Sequence, residues 1–551
     1  MGAGEATTTR AAHPGGRAWA AMVLLVVVAL LFPLIAAPTR AATTPGESPI
    51  SGMVDAHAHL AASQAFGGAL RCGEPFSPGG LAAAMSDCPS HSGTGHFALL
   101  ESVLGGTAVP GGTQGFPTFA QWPSHDSQLH EQAYYTGIER AWRGGLRVLN
   151  NHLVANRVLC EALAGIGVPA RSSCDEMDQL RRQVDYLERI EAHIDAEHGG
   201  PGQGWFRIAR SPEEVRAIAA DGKLAVTLGV EASEPFGCRV AGDAPMCTIE
   251  DIDRGLDEFA SWGVSTVFPV HKFDNALGGA RMDEELAGLA VNIGNKLARA
   301  RFWETEPCTG PDADHAQPLA STPVADGLAA ASSDAPAGAA LPVYPEAPLC
   351  NVRGLTPLGE HAIRGLMARG MVINIDHMGV KTAHRTLDLA AEAGYTGLVV
   401  DHDWATRGNT RRVHEQGGFV AGFAWPAEAT ETFETGFLEQ WRTTTAGATR
   451  PFTGYGFGSD VNGLAPLADP RPSAAEDPLV YPFTAPNGEL MDRWRFGERT
   501  YDLNTDGVAQ YGLYADWAAD LLHRAGPDRD ELERQLMGGA EAWTSNWERA
   551  R

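Results

Sequence analysis

Eight short apolar segments recur along this 551-residue chain, and six amphipathic helical patterns fill the intervals between them. The segments are 52–55 (GMVD), 146–150 (LRVLN), 224–230 (LAVTLGV), 266–270 (TVFPV), 371–375 (MVINI), 397–400 (GLVV), 419–423 (FVAGF) and 454–458 (GYGFG). Helical periodicity occupies 174–197, 211–220, 248–262, 357–369, 381–394 and 427–444. Alternation of this kind implies parallel pairing through right-handed crossovers, and eight such strands suggest a sheet closed on itself. The expected fold is an α/β chain forming a (β/α)8 TIM barrel, one domain over 43–551. Two stretches depart from the rhythm and read as large insertions: about 61–140, rich in Gly, Ser and Pro, and 303–352, with a Pro/Ala/Ser tract over 311–348. A last helix near 529–549 is expected on the barrel exterior.

Residues 1–42 read as a signal peptide or an N-terminal anchor. Arg10 and Arg17 precede the apolar run 18–37, and the small residues Ala41 and Ala42 follow it. The run carries Pro33 and is long for a signal peptide, so two forms of export are expected: secretion, or tethering at the cell surface by an uncleaved segment. The eight cysteines fit that compartment. They fall in four local couples, Cys72/Cys88, Cys160/Cys174, Cys238/Cys247 and Cys308/Cys350, and nearest-neighbour disulfides are the simplest of the connectivities eight cysteines allow. No C-x-x-C spacing points to a cysteine-ligated metal. With 42 Lys and Arg against 68 Asp and Glu, a net charge of −26 would be repelled by phosphate backbones, which excludes a general nucleic-acid binder.

The chemistry-bearing residues gather where the strands end. Asp55-Ala56-His57-Ala58-His59 closes the first strand, and alternation turns His57 and His59 to one side. Glu231 follows the third strand, His271 the fourth, His377 the fifth, His402 the sixth and Asp460 the eighth. Barrel enzymes place their reactive groups at these C-terminal ends. Imidazole and carboxylate donors from separate strands suit zinc. Glu231 can lend one oxygen to each of two divalent ions about 3.5–4 Å apart. His57 and His59 would hold the first ion, and His377 and His402 the second. A water bound there would acidify towards a pKa of about 7, and Asp460, counted among the metal ligands as well, would take its proton and pass it to a leaving group.

Several segments carry a family resemblance. GLTPLGEHAIRGLMARGMVINIDHMG (354–379), DGKLAVTLGVEAS around Glu231, IDRGLDEFASWGVSTVFPVHKFDNALGGA around His271 and FGSDVNG around Asp460 resemble membrane (renal) dipeptidases of the amidohydrolase superfamily. The resemblance runs with gaps over roughly 179–280 and 354–463. It implies that Glu231 bridges two metals, that His377 and His402 hold the second, that His271 polarises the substrate carbonyl and that Asp460 is the acid/base. Family members also grip the substrate carboxylate with an arginine beyond the sixth strand, and Arg407, Arg411 and Arg412 are the candidates. The first motif departs from the family: those dipeptidases carry His-x-Asp, whereas His57-Ala58-His59 replaces a carboxylate by imidazole and makes dipeptide specificity less secure. The expected function is an exported zinc-dependent hydrolase cleaving a dipeptide or similar small amide. An amidohydrolase acting on another amide, lactam or ester, and an inactive metal-stabilised barrel binding an envelope ligand, are the alternatives.

Three weaker signals have plainer readings. Asp502-Leu503-Asn504-Thr505-Asp506-Gly507 opens like a calcium loop, but Leu513 stands where a bidentate Glu is needed, so an Asx turn is expected. Gly200, Gly202 and Gly204 lack a preceding strand and do not read as a nucleotide site. His152 reads as a structural histidine near the pocket.

Overall fold

The structure is a computed structural model that describes residues 48–86, 123–165, 168, 170–283, 285–314, 342, 344–345 and 348–551. The expectations for 1–42, for Cys88 and for most of the 311–348 tract lie outside those residues.

Eight parallel strands close the expected barrel. They are β1 (Met53–Ala58), β2 (Leu146–Ala155), β3 (Leu224–Ala232), β4 (Val264–Phe268), β5 (Val372–Asn374), β6 (Leu398–Val400), β7 (Phe419–Phe423) and β8 (Gly456–Gly458). Each pairs with the next in chain order, and Asp55 of β1 opposite Phe457 of β8 completes the circle. A short strand the periodicity did not reveal, Phe206–Ile208, pairs beside the start of β3.

Among the described residues, the helices of nine or more residues are α1 (Tyr135–Arg143), α2 (Arg157–Gly165), α3 (Glu176–Glu197), α4 (Pro212–Ala220), α5 (Ile249–Trp262), α6 (Glu285–Arg299), α7 (Pro357–Ala368), α8 (Val380–Ala393), α9 (Arg407–Glu415), α10 (Phe437–Thr445), α11 (Tyr514–Arg524), α12 (Arg529–Met537) and α13 (Gly539–Ala550). Side-chain caps set several starts. Ser211, Thr248, Thr356 and Thr406 each accept the backbone N–H three residues on, which satisfies a donor the helix leaves open. The expected helix 427–444 is shortened to α10. Upstream, the Thr430 hydroxyl accepts from the backbone of Thr432 and Phe433 and holds a turn instead.

Strand alternation builds the core in two shells. In β3, Leu224, Val226, Leu228 and Val230 join the outer core, while Ala225 joins a lower cluster and Thr227 bonds to Asn150, its register partner on the adjacent β2. That lower cluster contains Val54, Val148, Val372, Val399 and Phe419 from the strand starts, together with Trp543 and Trp547 of α13. The expected exterior helix 529–549 is therefore corrected. It breaks at Gly538, where a Cβ would lie 2.4 Å from the Thr453 carbonyl, and its second half closes the lower mouth with two tryptophans one helical turn apart. Above this apolar plug, Asn150 accepts from Thr227 Oγ1 at 2.9 Å and donates to the Ala56 carbonyl at 3.1 Å, forming a polar layer under the strand ends.

Three disulfides follow the nearest-neighbour expectation, with Cα–Cα separations of 5.6 Å (Cys160–Cys174), 4.8 Å (Cys238–Cys247) and 5.1 Å (Cys308–Cys350).

Candidate metal centre

In β1, Val54 and Ala56 belong to the lower apolar cluster, yet His57 and His59 meet at the upper mouth. A register shift between Asp55 and Ala58 reverses the phase of alternation, as a bulge does. The neighbouring strand end is locked to this one. Asp460 N–H donates to the His57 carbonyl at 2.9 Å, and Ser459 N–H donates to Asp55 Oδ1 at 3.1 Å. His377, Asp403 and Asp460 adopt φ of 63°, 59° and 46°, a left-handed backbone that non-glycine residues avoid and that concentrates at working sites. Two glycines make room. A Cβ on Gly229 would lie 2.3 Å from His152 Nδ1, and one on Gly458 would lie 2.3 Å from the Asp401 carbonyl and 2.7 Å from His402 Cβ.

The donor atoms form two sets joined by Glu231. In the first, His57 Nε2 and His59 Nε2 are 3.1 Å apart, Glu231 Oε2 is 3.7 and 3.3 Å from them, and Asp460 Oδ1 is 3.6 and 3.1 Å from them. In the second, His377 Nε2 and His402 Nε2 are 2.8 Å apart, and the other Glu231 oxygen, Oε1, is 3.5 Å from His377 Nε2. His271 Nε2 also faces Oε1, at 3.3 Å. Zinc bonds of about 2.0–2.1 Å place tetrahedral ligands roughly 3.3 Å apart, which is the spacing seen in the first set. The donors therefore fit divalent ions: four imidazole nitrogens that can be neutral and two carboxylates converge. His57, His59, Glu231 and His402 are buried, while the Asp460 side chain is 15% exposed and stands at the open side.

Local charges divide the histidines. Burial alone would lower His57 and His59, but Asp401 and Glu231 outweigh it at His57, and Asp460 with Glu231 at His59, so both sit above the ordinary imidazole value. Burial and the nearby Lys272 carry His377 well below it, and burial takes His271 down to about 3, which leaves a neutral ring. Burial would raise Glu231, yet His271 and His57 hold it well below the usual carboxylate range.

The structure thus brings together His57, His59, Glu231, His271, His377, His402 and Asp460. It does not bring in the three arginines. Arg412 pairs with Asp388 at 2.7 Å on the surface, and Arg407 and Arg411 are exposed residues lining a cavity of about 120 Å3 with Asp403, Thr410 and His414. His152 is buried under His57, with ring centroids 4.4 Å apart, as a structural histidine should be. Asp502 caps a one-turn helix by accepting from Asn504 N–H, the expected Asx turn. The N–H groups of Gly202 and Gly204 donate to the Asp195 carboxylate, which occupies the donors a phosphate would need.

Sequence reasoning passed over Asp376 and Asp401. Asp376 Oδ2 accepts from the backbone N–H of Asp401 at 2.8 Å, and Asp401 contacts His57, His152 and His402. Their signal was an aspartate immediately before a strand-end histidine, repeated in Asp376-His377 and Asp401-His402.

No family model matches the chain, and no curated protein matches it. Among solved structures it is similar to a metallopeptidase from Rhodobacter sphaeroides liganded with a phosphinate mimic of the dipeptide L-Ala-D-Ala (14% identity over 75% of this chain and 90% of that one, TM-score 0.41). It is similar also to a dipeptidase described as a metallopeptidase of family M19 (14%, 75% and 88%, 0.40) and to an amidohydrolase from Pseudomonas aeruginosa (12%, 75% and 91%, 0.37). Likeness at this level carries no statement about substrate or ligands.

Proposed function

We propose that this chain is an exported zinc-dependent hydrolase of the membrane dipeptidase type, cleaving a dipeptide or similar small amide. The observation that carries the reading is Glu231, whose two oxygens face two separate histidine pairs at the C-terminal mouth, with Asp460 beside the first. Two divalent ions held there would supply Lewis-acid polarisation and an acidified water at neutral pH. The chain's own residues do the rest. His57 and His59 would hold one ion and His377 and His402 the other, with Glu231 between them. Asp460 turns Oδ1 to His57 and His59, and its carboxylate would accept a proton from water and return it to the departing amine nitrogen. His271, neutral and beside the second pair, donates to the oxygen of the scissile carbonyl as negative charge builds on it.

For a substrate carboxylate we favour two cations over Arg407, Arg411 and Arg412. Lys272 Nζ lies 5.2 Å from the centre of the Trp404 ring, which packs on His377 at 5.5 Å, and Arg281 donates to the Trp404 carbonyl at 2.6 Å. The imidazole of His59 in place of a carboxylate favours a second reading, an amidohydrolase acting on another amide, a lactam or an ester. Steady-state turnover of a dipeptide panel, simple amides, lactams and esters, each with and without chelator, tests both. Chelator-sensitive dipeptide cleavage supports the first reading, activity confined to the other substrates the second, and no turnover by zinc-loaded protein would leave a binding barrel.

A further inference from the structure

The imidazoles of the two donor sets are joined on the side away from Glu231. Asp401 Oδ1 lies 3.1 Å from His57 Nδ1 and 2.8 Å from His402 Nδ1, and its Oδ2 lies 2.8 Å from His152 Nε2. The carboxylate is completely buried. Its backbone N–H is held by Asp376 Oδ2, which also accepts from the backbone N–H of His402 at 3.2 Å. The three rings form a stack, with His57 between His402 at 4.0 Å and His152 at 4.4 Å between centroids. His57 belongs to the first donor set and His402 to the second, so one oxygen of one residue touches both.

We propose that Asp401 is a positioning carboxylate shared by the two metal sets, so that retention of both ions depends on it as one property. The proposal rests on the two-ion reading of the site. An imidazole whose Nδ1–H is held by a carboxylate is fixed in orientation and tautomer, and it presents a bare Nε2 to an ion. At His57 and His402 the Nε2 atoms are the ones that face the donor sets. His59 reaches the same end differently, its Nδ1–H donating to the His152 carbonyl at 2.9 Å. Charge points the same way. Two divalent cations bring four positive charges against the two carboxylates that face them, Glu231 and Asp460, and Asp401 with Asp376 adds two negative charges directly behind the histidines. A competing arrangement uses the same atoms, because His57, His152 and Asp401 could themselves hold an ion.

The test uses the full chain and zinc. Equilibrium dialysis of wild type and Asp401→Asn against buffered zinc should show two ions in the wild type, and in the variant a loss of affinity at both sites together, about 10- to 100-fold each. Wild-type protein that binds no zinc would defeat the two-ion reading itself. A wild type with two ions beside a variant that keeps both unchanged, or loses only one, would overturn the role of Asp401 alone, and three ions in the wild type would favour the competing arrangement. A second readout needs no variant. In zinc-loaded protein labelled with 15N-histidine, His57 and His402 should both carry their proton on Nδ1, and its absence from either ring would overturn the proposal.

Discussion

At the scale of single residues, proton transfer and charge stabilisation fall to different side chains, so they separate by substitution. Asp460→Asn keeps the shape of the side chain and a carbonyl oxygen where Oδ1 now faces His57 and His59, but it removes the base. The expected result is a fall in kcat of about 10² to 10⁴ with metal content near wild type. His271→Ala takes away a neutral donor beside the second pair and leaves the ion-holding atoms in place, so a loss of roughly 10² to 10³ is expected. Steady-state kinetics with elemental analysis of each variant is the check. Full activity in Asp460→Asn would remove its role as proton carrier, and full activity in both would move the reaction centre elsewhere.

At the scale of elements, the barrel was legible because each strand carries a short apolar run and the crossovers carry amphipathic helices, several of them with a capping side chain at the start. The donor residues were legible because strand ends are few and histidines at them fewer. Three things stayed hidden for physical reasons. The phase reversal in β1 depends on pairing with β2, which no local pattern encodes. Asp401 and Asp376 show in sequence only as aspartates preceding strand-end histidines, and what they hold emerges only when strands far apart in sequence close over them. The grip of the first insertion on the end of β8 is also long-range: Asn462, two residues past Asp460, donates to Glu131 Oε1 at 2.7 Å and accepts from the Gln132 N–H at 3.0 Å. That contact has a pH signature. Burial, opposed by Arg71, pushes Glu131 up to about 7, with Glu74 adding a smaller upward push. Its proton is thus bound more tightly folded than unfolded, and the cost of ionising it accumulates as pH rises from about 4.5 to about 7 and then levels off. Glu131→Gln keeps an acceptor for Asn462 and for the Ala133 N–H while abolishing the ionisation. Urea unfolding should find the variant gaining on wild type across that interval by up to about 3 kcal/mol. A stability difference that does not change with pH would show that Glu131 is not buried as a proton-binding group.

At the scale of the whole molecule, two kinds of cross-link act on different parts of the chain. The disulfides clip the segments that follow β2 and β3 and the long connection between β4 and β5, and none joins two strands of the barrel. The donor atoms instead come from the ends of β1, β3, β5, β6 and β8, so ions at the proposed centre would tie five of the eight strands together at the upper mouth. The lower mouth is closed independently by Trp543 and Trp547. Metal removal should then loosen the barrel from one end while the disulfides stay intact. Ions present at about a thousand times their dissociation constants stabilise the folded state by about 4 kcal/mol each. Unfolding entropy of roughly 2 cal/mol/K per residue over about 500 residues amounts to about 1 kcal/mol/K. Stripping two ions under non-reducing conditions should therefore lower Tm by about 8 °C, and restoring zinc should recover it. Differential scanning calorimetry of the chelated and reloaded protein measures this directly. An unchanged Tm, with elemental analysis showing the ions gone, would mean that the strand ends hold their positions without metal and that the centre contributes nothing to closing the barrel.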